Sequence, residues 1–320
     1  MKLKKKEVYL GIDVGGTSIK AGLFDSKYNL LSRFSLAVCK DDNPADCFST
    51  LANWLKAPEV SNQYNVISAG MGLPGLFDQD SGALKMAPNL PKWVGFGIRE
   101  YFQKETGLEI SVDNDANMAA LGEYEIGSGS DFASMVMLTL GTGVGGAIIV
   151  DGKMLELNGF SSELGHMIID INGVLCNCGH RGCLETLTAK NGLIRLFHKT
   201  LETNGVERSN YKDLDQLTPL HLSRLAQDGD QFAMYTFRQS GEAVGIGISN
   251  ILNIIRLDGV VIGGGISNAW DGFFQSIEQT VAKLTFDFNP EKTKITKASL
   301  GSDAGIIGSA VLAKKVKNEK

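Results

Sequence analysis

The sequence predicts an α/β protein that consists of two related halves. Segments 8–25 and 134–152 share one design, in which an apolar strand, a glycine-rich turn and a second apolar strand follow each other. Apolar residues recur at helical spacing in segment 48–55 and, more strongly, in segment 244–255. Strands mixed with helices along one chain are typical of the α/β class. The repeated hairpin is the observation that indicates two halves.

Further apolar runs extend this pattern. Segments 66–75 and 259–267 are predicted to be buried strands that end in glycine turns. Another strand ends in a polar run at 112–115, and a helix is expected from about Ala116. Residues 132–150 carry no charge and approach the length of a membrane span, but their glycines would interrupt a spanning helix. Two strands joined by a turn are therefore favoured.

The overall composition is that of an ordinary globular protein. The chain has 320 residues, which is enough for two domains, and 43% of them are apolar and 21% charged. A net charge of −5 gives no general attraction to nucleic acid or to an anionic membrane. Asp13 interrupts the first apolar stretch, so no secretory segment is expected there. We therefore expect a cytoplasmic protein whose five cysteines are reduced.

Two glycine-rich turns have the composition of phosphate-binding loops. GTGVGG at 141–146 matches a dinucleotide fingerprint, but a β-branched run follows it where that fingerprint requires a helix. Consecutive backbone N–H groups in such a turn still form an anion-binding nest. DVGGT at 13–17 offers the same nest, and Asp13 adds a carboxylate suited to hydrated Mg²⁺. A plain hairpin turn would explain either segment alone, whereas the pair favours phosphate binding.

The polar run VDNDAN at 112–117 has two interpretations. Asp and Asn are preferred as helix N-caps, and simple capping would explain them. Three polar residues in succession exceed what one cap needs, and a carboxylate at this position could act as a general base. The residues alone leave both interpretations open.

Three cysteines and a histidine crowd the segment CNCGHRGC at 176–183. Cys176, Cys178 and Cys183, with His166 ten residues upstream, would form a closed, structural Cys₃His zinc site. His180 competes with His166 for the fourth position. A zinc ribbon that binds nucleic acid is disfavoured because no basic surface surrounds the cysteines, and a redox pair because C-x-x-C is absent.

Together these motifs are similar to those of the ROK family (repressors, open reading frames, kinases). They are DVGGTSIKAG, GLPGLFD, APNLPKW, VDNDANMAALGE, LGTGVGGAII, ELGHM, CNCGHRGCLE and VIGGGIS, in the family's order from residue 11 to about 310. ELGHM together with CNCGHRGCLE is the specific pair, whereas the glycine turns occur in other proteins. Many family members have Ala-Gly or Ala-Ala before the glutamate of ELGH, where Ser161 and Ser162 stand here.

The resemblance implies an actin-like, ribonuclease H-like fold of two α/β domains around a central cleft. Residues 1–116 with 303–320 would form the small domain, and residues 117–302 the large domain with the zinc motif. The expected activity is transfer of the γ-phosphoryl group of ATP to the 6-hydroxyl of a hexose, with glucose favoured. The expected cofactors are ATP, Mg²⁺ and structural Zn²⁺, and the expected partner is a second copy of the chain.

The resemblance also implies roles for single residues. Asp115 matches the catalytic base. Sugar contacts are implied for Gly72, Asn89, Asn114, Asp115, Glu163, His166 and Glu185. Nucleotide and Mg²⁺ contacts are implied for Asp13, Gly15, Gly16, Thr17, Lys20, Gly141, Thr142, Gly143, Gly264 and Gly265. Metal ligation is implied for His166, Cys176, Cys178 and Cys183. The metal cluster is expected to order the sugar-binding residues and to leave nucleotide binding intact.

Three other functions remain as alternatives at this point. An N-acetylmannosamine or N-acetylglucosamine kinase would differ from a glucose kinase only in pocket shape. A sugar-responsive repressor of the same family would need a helix-turn-helix before the first strand, and only about ten residues precede Gly11 here. An actin-like or chaperone-like ATPase would share the phosphate turns but would give no reason for the zinc cluster.

Overall fold

The computed structural model describes residues 4–78, 81–87, 89–156, 162–207, 209, 211 and 216–318. Contacts divide the chain into two compact units. The first unit comprises the described residues within Met1–Ser130, Glu156–Phe160 and Ser302–Lys320. The second comprises those within Asp131–Leu155 and Ser161–Gly301. The α/β class predicted from the sequence is confirmed, since each unit combines a sheet with helices.

Helices and strands follow each other along the described chain in this order: β1 (Lys6–Val14), β2 (Ser18–Phe24), β3 (Leu30–Ala37), α1 (Pro44–Lys56), α2 (Pro58–Ser61), β4 (Tyr64–Leu73), β5 (Leu76–Asp78), β6 (Ala83–Met86), α3 (Ile98–Thr106), β7 (Ile110–Asn114), α4 (Asp115–Ile126), β8 (Ser134–Leu140), β9 (Val144–Val150), β10 (Lys153–Met154), α5 (Glu185–Thr188), α6 (Lys190–Thr203), α7 (Pro219–Gln227), α8 (Gln231–Ile254), β11 (Gly259–Gly263), α9 (Asp271–Leu284), β12 (Lys294–Lys297) and α10 (Ala304–Asn318).

The first unit is built on a sheet with the strand order β3-β2-β1-β4-β7. Strands β1 and β2 form an antiparallel hairpin, whereas β1, β4 and β7 run parallel to one another. In this register Asp13 lies opposite Gly72, and Gly72 lies opposite Asp113. Ligand sites of parallel sheets form at the carboxyl ends of the strands. Three predicted motifs therefore meet at one edge of this sheet.

Helix α10 packs unusually close to the first sheet. A Cβ atom added at Gly11 would lie 1.9 Å from the carbonyl oxygen of Ile306, and one added at Gly70 would lie 2.0 Å from that of Ser309. Only glycine permits this approach of helix to strand. The Ser309 hydroxyl also donates to the Ile12 carbonyl oxygen, at 2.7 Å. The last helix is thus part of the core of the first unit.

Helix α4 lies in the first unit, because it packs against α10. An added Cβ at Gly308 would lie 1.7 Å from the Met118 carbonyl oxygen, and one at Gly122 would lie 2.5 Å from that of Ala304. The contacts place the change of unit after Ser130. The sequence-based boundary falls after Ala116 and would assign most of this helix to the other domain, so the two divisions differ over α4.

The second unit repeats the topology of the first. Its sheet has the order β10-β9-β8-β11-β12, with an antiparallel β8–β9 hairpin and with β8, β11 and β12 parallel. Residues 15–17 connect the strands of the first hairpin and residues 141–143 those of the second. The two predicted hairpins are confirmed, and each one contains the central strand of its sheet, β1 or β8. The charge-free run 132–150 supplies β8 and β9, as predicted.

Helix α8 shows why the helical spacing of 244–255 was informative. Asp230 caps it by accepting the backbone N–H groups of Phe232 and Ala233. Val244 and Ile248 are fully buried, and burial of each such side chain contributes about 1.5–3 kcal/mol. The helix ends at Ile254, one residue before the predicted pattern does. Among the residues that the structure describes, no helix is long and apolar enough to cross a membrane.

Candidate active site

Asn114 and Asp115 both accept a backbone N–H group at the start of α4. Asn114 is the N-cap of α4, since its side-chain oxygen accepts the backbone N–H groups of Ala116 at 2.8 Å and Asn117 at 3.4 Å. Asp115 is the first residue of the helix and is half-buried. The capping interaction therefore fixes the backbone that carries Asp115. Its carboxylate accepts the Ala116 N–H at 2.8 Å, and it remains the candidate general base of this run.

The end of β4 lies directly against Asp115, and the turn that follows β4 contacts Asn114. A Cβ atom added at Gly72 would lie 3.2 Å from the Cα atom of Asp115. The Asn114 side-chain amide donates to the carbonyl oxygen of Gly75, at 3.4 Å. The predicted residues Gly72, Asn114 and Asp115 are thus brought together.

Asp113 is a half-buried acid for which the sequence predicted no role. Its Oδ1 accepts the Asn114 backbone N–H at 2.6 Å and the Asn117 side-chain amide at 2.8 Å. Burial raises the pKa of Asp113, and burial followed by the charge of Asp113 raises the pKa of Glu156. The two carboxyl groups face each other, so they share a proton more readily than isolated acids do. In the sequence, the only indication of this acid was its position as the first aspartate of VDND at 112–115.

Asp13 lies at the end of β1, opposite Lys20 in the hairpin. A Cβ atom added at Gly305 would lie 2.7 Å from its carboxyl carbon, so Asp13 adjoins the beginning of α10. Burial raises the pKa of Asp13, and the charge of Lys20 opposes this shift. The tight turn is closed by a hydrogen bond from the Gly15 N–H to the Ser18 carbonyl oxygen, at 2.8 Å.

Asn89 lies beside the first glycine turn. Its Cβ atom would be 3.1 Å from a Cβ added at Gly16. The family resemblance implies a sugar contact for Asn89 and a nucleotide contact for Gly16. Because the two residues are in contact, the implied sugar-binding and nucleotide-binding residues of this unit adjoin at this point.

In the second unit the two predicted nucleotide segments also meet. The turn at 141–143 is closed by a hydrogen bond from the Gly141 N–H to the Gly143 carbonyl oxygen, at 3.0 Å. Gly264 follows β11 with a φ of 86°, and a Cβ atom there would lie 2.3 Å from the Leu140 carbonyl oxygen. The left-handed conformation and this close approach both require glycine. The segments thus adjoin at the carboxyl ends of β8 and β11.

Glu185 contacts the turn that was assigned to phosphate. Its Oε2 accepts the Val144 backbone N–H at 3.0 Å. A Cβ atom added at Gly143 would lie 2.5 Å from the same oxygen. The family resemblance implies only a sugar contact for Glu185. Its contact with this turn joins residues 41 positions apart in the chain, and no local pattern encodes it.

The predicted cysteine cluster is assembled. Ligand atoms of His166, Cys176, Cys178 and Cys183 all lie within 4.8 Å of one another. The Cys178 and Cys183 sulfur atoms are 3.6 Å apart, as are Cys176 Sγ and His166 Nδ1. All five cysteines belong to the described residues, and each is a free thiol. His180 is exposed and approaches only Cys178 among them, with Nδ1 at 3.6 Å from Sγ, so it stands outside the group of four.

This donor set fits a tetrahedral zinc ion. Zn–S bonds of about 2.3 Å place the ligand atoms of such a site about 3.8 Å apart, which is close to the observed spacing. Burial raises the pKa of Cys183 to about 12 and also raises that of Cys176, whereas hydrogen bonds from His180 lower the pKa of Cys178 to about 6. Two buried thiols would become thiolates only beside a cation.

Glu163 is the least constrained of the predicted sugar contacts. It is exposed, and its backbone carbonyl oxygen accepts the His166 N–H at 3.1 Å, which closes the turn that carries His166. Ser162, next to it, is half-buried. Ser161, the other residue that departs from the family pattern, lies outside the described residues.

Comparison with known proteins identifies relatives over the whole chain. A sequence model of the ROK family matches residues 9–316. A glucokinase of Halalkalibacterium halodurans is 33% identical over 97% of this chain and 96% of its own. A putative xylose repressor of Caldicellulosiruptor sp. is 31% identical over 97% of this chain and 78% of its own. The crystal structure of a ROK family glucokinase from Streptomyces griseus in complex with glucose and AMPPNP covers 96% of this chain and 99% of its own, with a TM-score of 0.80 and 28% identity.

Proposed function

Because this chain belongs to the ROK family, we propose that it is an ATP-dependent hexose kinase that phosphorylates the 6-hydroxyl of glucose. The observation that carries the proposal is the position of Asp115, at the start of α4 and against Gly72. Relatives that are named glucokinases over nearly their full length support this activity. The fold is the actin-like fold of these structural relatives.

Asp115 would be the general base. The 6-hydroxyl would donate a hydrogen bond to its carboxylate, and the proton would move to that carboxylate as the hydroxyl oxygen attacks the γ-phosphorus. The bond between this phosphorus and the oxygen that bridges it to ADP would break as the new P–O bond forms. Phosphoryl transfer needs little more from a protein than alignment, charge neutralisation and such a base. The cap by Asn114 would hold Asp115 in place.

The hexose hydroxyls would be bound by residues that offer both donors and acceptors. These residues are Gly72, Asn89, Asn114, Glu163, His166 and Glu185. Carboxylates bind sugar hydroxyls through charge-assisted hydrogen bonds, which are stronger than neutral ones. Discrimination between hexoses would then depend on which hydroxyl or acetamido group each of these residues meets.

The phosphates of ATP would be held by the two glycine turns. Gly15, Gly16 and Thr17 would bind with backbone N–H groups in one unit, and so would Gly141, Thr142 and Gly143 in the other. Gly264 and Gly265 would contact the nucleoside. Asp13, with Lys20 nearby, is the carboxylate that would hold hydrated Mg²⁺, and Mg²⁺ would supply neutralisation of the phosphate charge.

His166, Cys176, Cys178 and Cys183 would hold the zinc ion. A site with four protein ligands has no open position, so zinc would supply order and no chemistry. We also propose that the protein is cytoplasmic and acts as a homodimer. The reduced cysteines support the first of these proposals, and the resemblance to the family supports the second.

The test is an ADP-release assay with glucose, mannose, N-acetylglucosamine, N-acetylmannosamine and xylose. We expect the highest kcat/KM for glucose. A higher kcat/KM for N-acetylglucosamine or N-acetylmannosamine would identify that sugar as the substrate in place of glucose. The protein would still be a sugar kinase. No turnover with any sugar would contradict the kinase and would favour the sugar-responsive repressor, to which the 31% identical relative points.

A further inference from the structure

A short segment, 183–190, connects the cysteine cluster to the turn at 141–143 and to Val144, the first residue of β9. We propose that Glu185 in this segment is a positioning residue for the turn, so that the metal state of the cluster controls nucleotide affinity. This inference rests on the proposed function, because it takes the turn to be a phosphate site. It reverses the expectation that the metal orders only the sugar-binding residues.

One end of the segment is fixed in the cluster. Cys183 is a fully buried member of the group of four, and only Leu184 separates it from Glu185. The Thr186 hydroxyl donates to the Cys183 carbonyl oxygen at 2.7 Å, and the Leu184 N–H donates to that of Met167 at 2.8 Å. Any shift of Cys183 is therefore transmitted to the start of α5.

Glu185 itself contacts both the cluster and the turn. Its Oε1 lies 3.9 Å from Cys176 Sγ, and its Oε2 accepts the Val144 N–H at 3.0 Å. Hydrogen bonds to an ionised acceptor are about twice as strong as neutral ones. Gly143 leaves room for this carboxylate, since any Cβ atom there would occupy the same space. The two oxygens of one side chain thus join the metal ligands to the phosphate turn.

The other end of the segment holds the opposite side of the turn. The Lys190 N–H donates to the Gly141 carbonyl oxygen at 2.9 Å. Helix α6 is pressed against α5, because a Cβ atom at Gly192 would lie 2.5 Å from the Thr186 carbonyl oxygen. The turn is consequently held at Gly141, its first residue, and at Val144, which follows it. Both contacts come from one segment that begins at Cys183.

The coupling is measured as the affinity for Mg·ADP of the metal-loaded and the metal-depleted protein, in the absence of sugar. In the wild type we expect depletion to weaken Mg·ADP about tenfold, within the usual range of coupling between sites. In Glu185→Ala the loaded protein should already bind weakly, and depletion should change its affinity less than twofold. Glu185→Gln keeps an acceptor without the charge and should give an intermediate result.

Glu278→Ala is the matched control, since Glu278 is exposed on α9 in the same unit. It should retain the tenfold effect. Equal Mg·ADP affinities of the loaded and the depleted wild type would overturn the coupling. It would also be overturned if metal depletion weakened Mg·ADP binding as much in Glu185→Ala as in the wild type.

Hydrogen exchange of the Val144 amide provides a readout that needs no ligand and no folded metal-free protein. In the loaded wild type we expect this amide to be protected, and in loaded Glu185→Ala to exchange at least tenfold faster. Unchanged protection would overturn the role of Glu185. If the loaded wild type bound no Mg·ADP at all, the proposed kinase function would fail, and the exchange result would still decide whether Glu185 holds the turn.

Discussion

At the residue scale, the polar run at 113–115 organises the start of α4 through its own side chains. Asn114 satisfies two backbone N–H groups that would otherwise lack partners at the start of the helix. Asp113 is held by Asn117, which is itself buried. Asp115 follows these two anchored residues, and its carboxylate also accepts the Ala116 N–H, at 2.8 Å, together with Asn114.

We predict that Asp115→Asn lowers kcat for glucose by at least about 100-fold, the usual lower range for loss of a general base. The variant should keep the melting temperature of the wild type to within a few degrees, because Asn114 still caps α4. Steady-state kinetics and thermal unfolding check both parts. Glu100→Gln, an exposed acid in the first turn of α3, is the control. Turnover by Asp115→Asn within a few-fold of the control would show that another group is the base.

The carboxyl pair of half-buried Asp113 and exposed Glu156 predicts a pH dependence of stability. Burial raises the folded-state pKa of Asp113 and of Glu156 above their ordinary values of 3.8 and 4.5. The folded state therefore holds protons that the unfolded state has already lost, so this contribution to stability is present at low pH and is lost as pH rises through the raised pKa values. Asp113→Asn should flatten the decline in the free energy of unfolding above pH 4.5.

Urea unfolding of the wild type, Asp113→Asn and Glu100→Gln at several pH values from about 4 to 8 checks this prediction. Glu100→Gln should follow the wild type. A decline of the same steepness in Asp113→Asn would mean that Asp113 is not protonated in the folded protein over this range.

At the element scale, the sequence predicted what local periodicity encodes and missed what packing decides. The two hairpins and helices α1 and α8 follow from alternation, helical spacing and glycine turns. In β3 the burial alternates only weakly at the sheet edge, and α5 is a single turn, so neither left a clear pattern. The contact of Glu185 with Val144 depends on the placement of α5 against β9, which the order of residues does not specify.

This contact changes the expected effect of a substitution in the second turn. The family resemblance implies a nucleotide contact for Gly143 and no sugar contact, so a side chain there would be expected to affect the nucleotide alone. In the structure a Cβ atom there would displace the Glu185 carboxylate. We therefore predict that Gly143→Ala weakens glucose binding at least about tenfold, which is the effect of losing about 1.4 kcal/mol of charge-assisted hydrogen bonding.

Calorimetry with glucose alone makes this measurement. Gly141→Ala is the comparison, because a Cβ atom at Gly141 meets open space. Its glucose affinity should stay within twofold of the wild type. Equal glucose affinities of the two variants would separate Glu185 from sugar binding.

At the scale of the whole molecule, two sheets of the same strand order carry the candidate site residues at equivalent ends. Asp13, Gly72 and Asp113 lie at the carboxyl ends of three neighbouring strands in the first unit. Gly141 and Gly264 lie at those of β8 and β11 in the second. The repeated hairpin made the two halves visible in the sequence. The strand order was not visible, because it depends on pairings between distant segments.

The metal content of the protein is a prediction for the molecule as purified. We expect one zinc ion per chain by elemental analysis, and less than about 0.2 in a Cys176/Cys178/Cys183 triple Ser variant, which lacks three of four ligands. Loss of the ion should also lower the melting temperature, because metal binding contributes to the free energy of folding. Cys39→Ser should keep its zinc, since Cys39 lies outside the cluster and interacts with Asp42. A wild-type protein without zinc would exclude the cluster as a resident metal site.

The close packing of α10 on β1 and β4 has a consequence for the order in which the polypeptide matures on the ribosome. Roughly 190 residues separate the end of α4 from the end of α10, which at 5–20 residues per second takes about 10 to 40 s to synthesise. Throughout that interval the strands that carry Gly11 and Gly70 have been translated without the helix that covers them. All segments of the second unit precede α10 in the chain, so the second unit can fold before α10 is translated. The first unit begins translation first, but it can complete its core only after the second unit has been translated.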